Sequence, residues 1–190
     1  MGLFKRFLAQ TRRPEGLLGR IMLHGMNQGH AALSDWGLSH IESLSPRAIV
    51  ELGCGGGRNA AELLRRYPAA RLYALDYAPL AVRRTGAYNK RSIAAGRCRV
   101  RQASVQSLPL ADSRFDLATA FETVYFWPEL AESFAEVHRV LKAGGSFLIC
   151  NESDGTDAES LKYERLIEGM HCYTAKELET LLRTAGFAEV

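Results

Sequence analysis

The sequence lacks an apolar run long enough to cross a bilayer as a helix, and it has no internal repeat or low-complexity segment. Its four cysteines, Cys54, Cys98, Cys150 and Cys172, are far apart and do not have the Cys/His spacing of a zinc site. The first ten residues are basic but contain no apolar core of the kind found in secretory signal peptides. We therefore expect a cytoplasmic protein that has free thiols, binds no structural metal and does not span a membrane.

The composition is that of a globular protein, with 47% hydrophobic and 24% charged residues in a chain of 190. The net charge of +3 is unevenly distributed, because residues 83–101 carry seven basic residues and no acid. Such a stretch can bind nucleic acid, but a solvated helix face balanced by acids elsewhere is the more common explanation. Residues 112–136 are acidic, so we favour the second interpretation.

The chain divides by pattern into an N-terminal appendage and a core. Residues 3–12 can form a short amphipathic helix, residues 15–44 read as helices interrupted by glycine, and Pro46 ends this part. We expect a helical cap or lid over residues 1–45 and a core over residues 46–190.

From residue 46 onward, strand-like and helix-like segments alternate. The predicted strands are 47–52, 71–76, 97–103, 115–121 and 144–151, and the predicted helices include 59–67, 79–95, 128–141 and 174–186. This alternation predicts an α/β fold, with a mostly parallel sheet and helices on both faces. Ligands of such sheets bind beyond the carboxyl ends of the strands.

A glycine-rich loop follows the first predicted strand and reads ELGCGGG at 51–57. Asp76 ends the second strand, where an acid can accept hydrogen bonds from ribose hydroxyls. Together these features predict a cofactor that contains a nucleoside. A dinucleotide fingerprint needs a third glycine where Arg58 stands, so the loop does not fit a dinucleotide.

The loop resembles motif I of the class I S-adenosylmethionine (SAM)-dependent methyltransferases. Four further segments resemble later motifs of that family in order: LYALDYAP, QASVQSLPLADSRFDLATAF, HRVLKAGGSFLICN and YTAKELETLLRTAGF. The resemblance covers about residues 47–190 and is closest to the small-molecule branch that includes ubiquinone-biosynthesis-type enzymes. It implies a Rossmann-like fold and a methyl donor, SAM, that leaves as S-adenosylhomocysteine.

The resemblance also implies a set of cofactor contacts. These are Glu51, Gly53, Cys54, Gly55, Gly57 and Asn59 around the methionine part, Asp76 at the ribose, and Tyr77, Ser104 and Val105 beside the adenine. Cys54, Ser104 and Ala143 depart from the family's usual residues. Ser104 replaces an acid that often binds the adenine amine, so adenine recognition would rest more on backbone atoms.

The family's sheet normally ends with a sixth strand and an antiparallel seventh strand, whereas this sequence ends at GFAEV. We expect these last strands to be missing or incomplete. A natural chain longer than this sequence would explain this, and a homodimer that shares the open sheet edge is the alternative.

The residues that contact the methyl acceptor are less clear from the sequence. Glu122 follows the fourth strand, His30 lies three residues after Asn27 in the appendage, and His171 precedes the last helix. We expect these three to include any general base, with a structural role as the alternative for each. The predicted function is methyl transfer to a small-molecule acceptor; an RNA methyltransferase and a non-catalytic SAM-binding protein are the alternatives.

Overall fold

The computed structural model describes residues 7–190, apart from the side chain of Glu159. The first part of the helix predicted at 3–12 therefore lies outside the described residues. In this range the chain forms a five-stranded sheet with helices on both faces, which confirms the predicted fold class.

All strand pairs in the sheet are parallel, and the order is β3-β2-β1-β4-β5. The strands are β1 (Ala48–Leu52), β2 (Arg71–Asp76), β3 (Cys98–Gln102), β4 (Phe115–Phe121) and β5 (Leu141–Cys150). The chain adds β2 and β3 on one side of β1 and then β4 and β5 on the other side. The carboxyl ends of β1 and β4 therefore flank the crevice where ligands of this architecture bind.

The helices connect these strands and cover the two faces. They are α1 (Gly16–Gly29), α2 (Ala31–Ser39), α3 (Arg58–Arg66), α4 (Pro79–Tyr88), α5 (Lys90–Ala94), α6 (Leu130–Val140), α7 (Ala158–Leu166) and α8 (Ala175–Thr184). A short 3₁₀ turn, Val124–Phe126, follows β4. No helix among these is long and apolar enough to cross a membrane.

Successive residues of β1 point to opposite faces of the sheet and enter different clusters of buried side chains. Ile49 packs with Leu63 of α3 on one face, whereas Val50 packs with Phe134 of α6 on the other. Both faces are apolar, which is why the strands read as short hydrophobic runs.

The N-terminal helices are fixed to the core by close packing and by ion pairs. Gly37 of α2 lies against Cys150, where an added Cβ would be only 2.7 Å from the sulfur atom. The Asp35 carboxylate is 2.6 Å from the Arg58 guanidinium at the start of α3. Arg58, which replaces the third glycine of a dinucleotide loop, therefore anchors the cap. The expected domain division after residue 45 stays a prediction.

The fifth strand is longer than predicted, because it begins at Leu141, three residues before the predicted start at residue 144. The pairing register shifts between Phe115 and Leu117, and Gly144 has a φ of +74° at this irregularity. The extra residues are accommodated as a bulge. No strand follows Cys150 in the part of the chain described, and β5 is an edge strand there.

Candidate functional site

A cavity of about 330 Å³ opens at the carboxyl ends of β1, β2 and β4. Its walls include Gly53 and Gly55 of the glycine loop, Asp76 at the end of β2, and Glu122 after β4. The volume lies in the usual range for small-molecule sites. The structure thus places the cavity at the rim that the strand pattern predicted.

The glycine loop is tied to the neighbouring strand by its own backbone. The amides of Gly53 and Cys54 both donate to the carbonyl oxygen of Leu75, at 2.8 and 3.0 Å. Gly53 has a φ of +79°, and a Cβ there would lie 2.3 Å from the Thr123 hydroxyl. Position 53 therefore needs glycine for two reasons, the backbone conformation and the approach of the β4 loop.

The remaining glycines of the loop differ in what they face. A Cβ on Gly55 would meet no atom closer than 3.8 Å, which leaves this residue open to a ligand in the cavity. In contrast, a Cβ on Gly56 would collide with the Asn27 side chain, and one on Gly57 with Thr85. Of these three glycines, therefore, only Gly55 leaves space for a ligand, whereas Gly56 and Gly57 make room for other parts of the protein.

Two side chains, one in α4 and one directly after it, bind the backbone of the loop. Thr85 donates to the carbonyl oxygen of Gly55 at 3.0 Å, and the Asn89 amide donates to that of Gly57 at 2.8 Å. Both side chains are buried. This role could not be predicted from the sequence, since neither residue belongs to a local motif.

Asp76 is 9% exposed and lines the cavity. Its carboxylate accepts hydrogen bonds from the amides of Gly55 and Ala78, at 3.0 and 2.9 Å. Burial raises the pKa of this carboxyl group, while these backbone donors act in the opposite direction. An ionised carboxylate has about four acceptor positions, so two remain for the hydroxyls of a ribose.

The predicted adenine contacts, Tyr77, Ser104 and Val105, also line the cavity. The Tyr77 hydroxyl donates to the carbonyl oxygen of Arg12, and Arg12 lines the same cavity. The segment before α1 therefore closes one side of the site. No sequence motif marks this segment as part of the cofactor wall.

Glu51 has a different position from the other predicted cofactor contacts. It is 2% exposed, does not line either of the two cavities at this rim, and its Oε2 atom has no hydrogen-bond partner in the described part of the chain. Burial, together with the charge of Asp76, raises the pKa of Glu51 to about 8. Glu51 is therefore mostly protonated at neutral pH in this structure.

A smaller cavity of about 50 Å³ adjoins the first and shares Gly53, Gly55 and Glu122 with it. Its other walls include the predicted residues His30, Cys54 and Asn59, together with Asn27. The Asn27 amide donates to the carbonyl oxygen of Gly56 at 3.1 Å. The cap thus reaches the glycine loop, and the structure brings His30 and Glu122 to one site.

The Glu122 carboxylate is held by neutral donors. Its Oε1 atom accepts a hydrogen bond from the Tyr125 hydroxyl at 3.2 Å and another from the backbone amide of Glu152. Burial raises the pKa of Glu122 to about 7, and the nearby Glu152 carboxylate adds to this increase. A carboxyl group with a pKa near neutrality can accept a proton during catalysis.

His171 lies outside the walls of both cavities. Its side chain is 51% exposed and is 3.3 Å from Glu164, while its backbone amide donates to the carbonyl oxygen of Tyr125. The structure therefore places His171 behind Tyr125, away from the cavity. Of the three predicted acceptor residues, only Glu122 and His30 share a cavity.

The site fits the cofactor that the sequence resemblance implies. Gly55 leaves space for close approach, Asp76 has acceptor capacity for a ribose, and Tyr77 and Val105 offer a partly apolar wall for a base. The loop also has Arg58 where a dinucleotide-binding loop has its third glycine. A compact nucleoside cofactor suits this cavity better than a dinucleotide.

Comparison with known proteins matches residues 50–149 to the family described as "Methyltransferase domain". Two curated relatives are malonyl-[acyl-carrier protein] O-methyltransferases. The protein from Dechloromonas aromatica is 33% identical over 116 residues, which are 61% of this chain and 40% of that protein. The protein from Geobacter sulfurreducens is 29% identical over 163 residues, covering 78% of this chain and 58% of the relative.

Among solved structures, a chain from the complex between the Haloferax volcanii Trm112 methyltransferase activator and a candidate methyltransferase has a similar fold. The TM-score is 0.80 at 22% identity, and the similarity covers 98% of this chain and 76% of the other. The chain spans about half the length of the two curated relatives.

Proposed function

Because the chain belongs to the class I SAM-dependent methyltransferases, we propose that it transfers a methyl group to a small-molecule acceptor. The observation that carries this proposal is the pair of adjoining cavities at the rim, since Gly53, Gly55 and Glu122 line both. One cavity has the size and polar groups for the donor, and the other lies beside it with room for a reacting group.

SAM supplies an activated methyl group, so the protein's main task is to position an acceptor and exclude water. Asp76 would hold the ribose hydroxyls, Gly55 would allow close approach of the methionine part, and Tyr77 with Val105 would border the adenine. The predicted contacts Glu51, Cys54, Gly57, Asn59 and Ser104 remain part of this proposal. Glu51, Cys54 and Gly57 would act mainly by shaping the loop, because all three are buried.

Glu122 is the proposed general base, because it lines both cavities and has a pKa near neutrality. His30 would contact the acceptor across the smaller cavity. His171 has a weaker case, since Tyr125 separates it from Glu122, and we assign it a supporting role in fixing the β4 loop.

The acceptors of the curated relatives are not transferred to this chain, because about half of each relative has no counterpart in it. We also propose a cytoplasmic location, which the four free and buried cysteines support. The homodimer through the β5 edge stays a prediction.

The proposed function can be tested by incubating purified protein with SAM and a small-molecule extract and measuring S-adenosylhomocysteine by mass spectrometry. We expect acceptor-dependent product formation that Glu122→Gln reduces about 100-fold, within the usual range for loss of a general base. Glu132→Gln, at an exposed acid on α6 that forms no ion pair within residues 7–190, serves as the matched control.

Other outcomes would contradict the proposal. Product formation only when RNA is added would favour the RNA methyltransferase. Binding of SAM without turnover on either kind of acceptor would favour a non-catalytic SAM-binding protein.

A further inference from the structure

Three polar side chains that the sequence analysis did not group together converge at the edge of the smaller cavity. One ligand atom each of His30, Glu122 and Glu152 lies within 4.8 Å of the others. They come from the junction of α1 and α2, the end of β4 and the end of β5, respectively. We call these three residues the acceptor cluster.

The acceptor cluster contains two carboxylates but no lysine or arginine. Among the described residues, Glu122 accepts from the Tyr125 hydroxyl and from a backbone amide, and the ion-pair partner of Glu152 is His30 at 3.9 Å. The carboxylates of Glu122 and Glu152 lie within 4.8 Å of each other, and two like charges this close repel each other. A cation between them would remove this repulsion, so the cluster is complementary to a positively charged group.

The cluster also stands where the acceptor must enter. His30 and Glu122 line the smaller cavity, and Glu122 lines the cofactor cavity as well. Glu152 is more exposed, with 72% of its side chain accessible, and lies towards solvent. A ligand bound by all three would therefore reach from the solvent to the boundary between the two cavities.

We propose that the acceptor cluster binds the ammonium group of a small amine, and that this amine is the methyl acceptor. The inference rests on the proposed function, because it names the substrate class for the same site. It adds Glu152 as a substrate-binding residue and His30 as a hydrogen-bond acceptor for the amine.

The spacing of the cluster lies between that of acceptors around an ammonium group and that of ligands around a small divalent metal ion. Three acceptors placed tetrahedrally at about 2.8 Å from a nitrogen lie about 4.6 Å apart. Adjacent ligands of Zn²⁺ or Mg²⁺, with bonds of about 2.1 Å, lie only about 3.0–3.4 Å apart. The distance of 3.9 Å between His30 Nε2 and Glu152 Oε2 exceeds the metal spacing and is shorter than the ammonium spacing, so the test includes a metal ion as a separate probe.

The cluster can also accept the proton that the reaction releases. An ammonium nitrogen first loses one proton to the Glu122 carboxylate, which frees its lone pair. The nitrogen then forms a bond to the methyl carbon while the carbon–sulfur bond breaks, and that electron pair remains on sulfur. The products are an N-methylammonium ion, a neutral thioether and a protonated Glu122, so atoms and charge balance.

The test uses the purified full chain saturated with S-adenosylhomocysteine, whose binding is measured first by calorimetry. The probes are a series of short alkyl amines, the carboxylates of matched chain length, and Mn²⁺ alone. We expect amines to bind and carboxylates not to bind. Glu152→Gln should weaken amine binding about two- to fivefold, as for one exposed charge pair, and the Glu132→Gln control should not.

The outcomes separate this inference from the proposed function. If the wild type does not bind S-adenosylhomocysteine, the proposed function itself is overturned. If that binding is intact, the inference fails when the carboxylates bind and the amines do not, or when no amine binds. Binding of Mn²⁺ that Glu152→Gln abolishes would instead show a metal site and overturn the amine assignment.

Discussion

Replacement of Glu51 by glutamine should stabilise the protein in a pH-dependent manner. Glu51 lies within the sheet, is 2% exposed and has an Oε2 atom without a hydrogen-bond partner. Burial, aided by the Asp76 charge, raises its pKa from 4.5 to about 8. Glutamine has nearly the same shape as the protonated acid but cannot ionise.

The sign of the effect follows from the two pKa values. Below pH 4.5 the side chain is protonated in both the folded and the unfolded chain, so its stabilising contribution is complete. As the pH rises towards 8, the unfolded chain ionises while the folded chain stays protonated, and the folded state loses stability. Between pH 5 and pH 8 this loss amounts to about 3–4 kcal/mol, at 1.36 kcal/mol per pH unit.

The assay is urea-induced unfolding of the wild type and of Glu51→Gln at pH 5 and pH 8. The stability of the variant relative to the wild type should rise by about 3–4 kcal/mol between these pH values, which is about 10 °C in melting temperature for a chain of this size. Glu132→Gln should show no such change. An equal difference between Glu51→Gln and the wild type at both pH values would refute the assignment of Glu51 as a buried neutral acid.

Two further predictions concern the glycine loop and the proposed base. Gly53→Ala should destabilise the fold by about 2 kcal/mol, because its φ is +79° and its Cβ would lie 2.3 Å from the Thr123 hydroxyl. Gly25→Ala, in an open part of α1, should instead stabilise it by about 0.5–1 kcal/mol in thermal unfolding. Tyr125→Phe removes a donor to Glu122 and should move the rise of methyl transfer with pH upward by about one unit, or about 1.4 kcal/mol; an unchanged pH profile would contradict Glu122 as the base.

The parts of the fold that local patterns determine were predictable from the sequence. The segment RLYALD forms β2, and Asp76 is its last residue. The alternating strands and helices place this acid beside the glycine loop. At the start of the last helix, Thr174 forms a capping box with Glu177, which is three residues away. These features depend on residues that are close in sequence or on the general geometry of parallel sheets.

Contacts between distant segments could not be predicted in this way. Thr85 and Asn89 hold the glycine loop from a helix about 30 residues away, and Arg58 pairs with Asp35 of the cap. Glu152 joins Glu122 and His30 only because β4 and β5 end side by side. Each of these residues is chemically ordinary in its local sequence, so no pattern distinguishes it from a surface residue.

The central claim is that the glycine loop and Asp76 form the binding site of a SAM-type cofactor. Calorimetric titration of the purified chain with S-adenosylhomocysteine tests this most directly, with NAD as the competing ligand and Asp76→Ala as the variant. We predict that the wild type binds S-adenosylhomocysteine and not NAD. The variant should bind about 100-fold more weakly, because it loses two hydrogen bonds to a charged acceptor of about 1.5 kcal/mol each. Binding of NAD, or equal affinity of the wild type and Asp76→Ala for S-adenosylhomocysteine, would contradict the account.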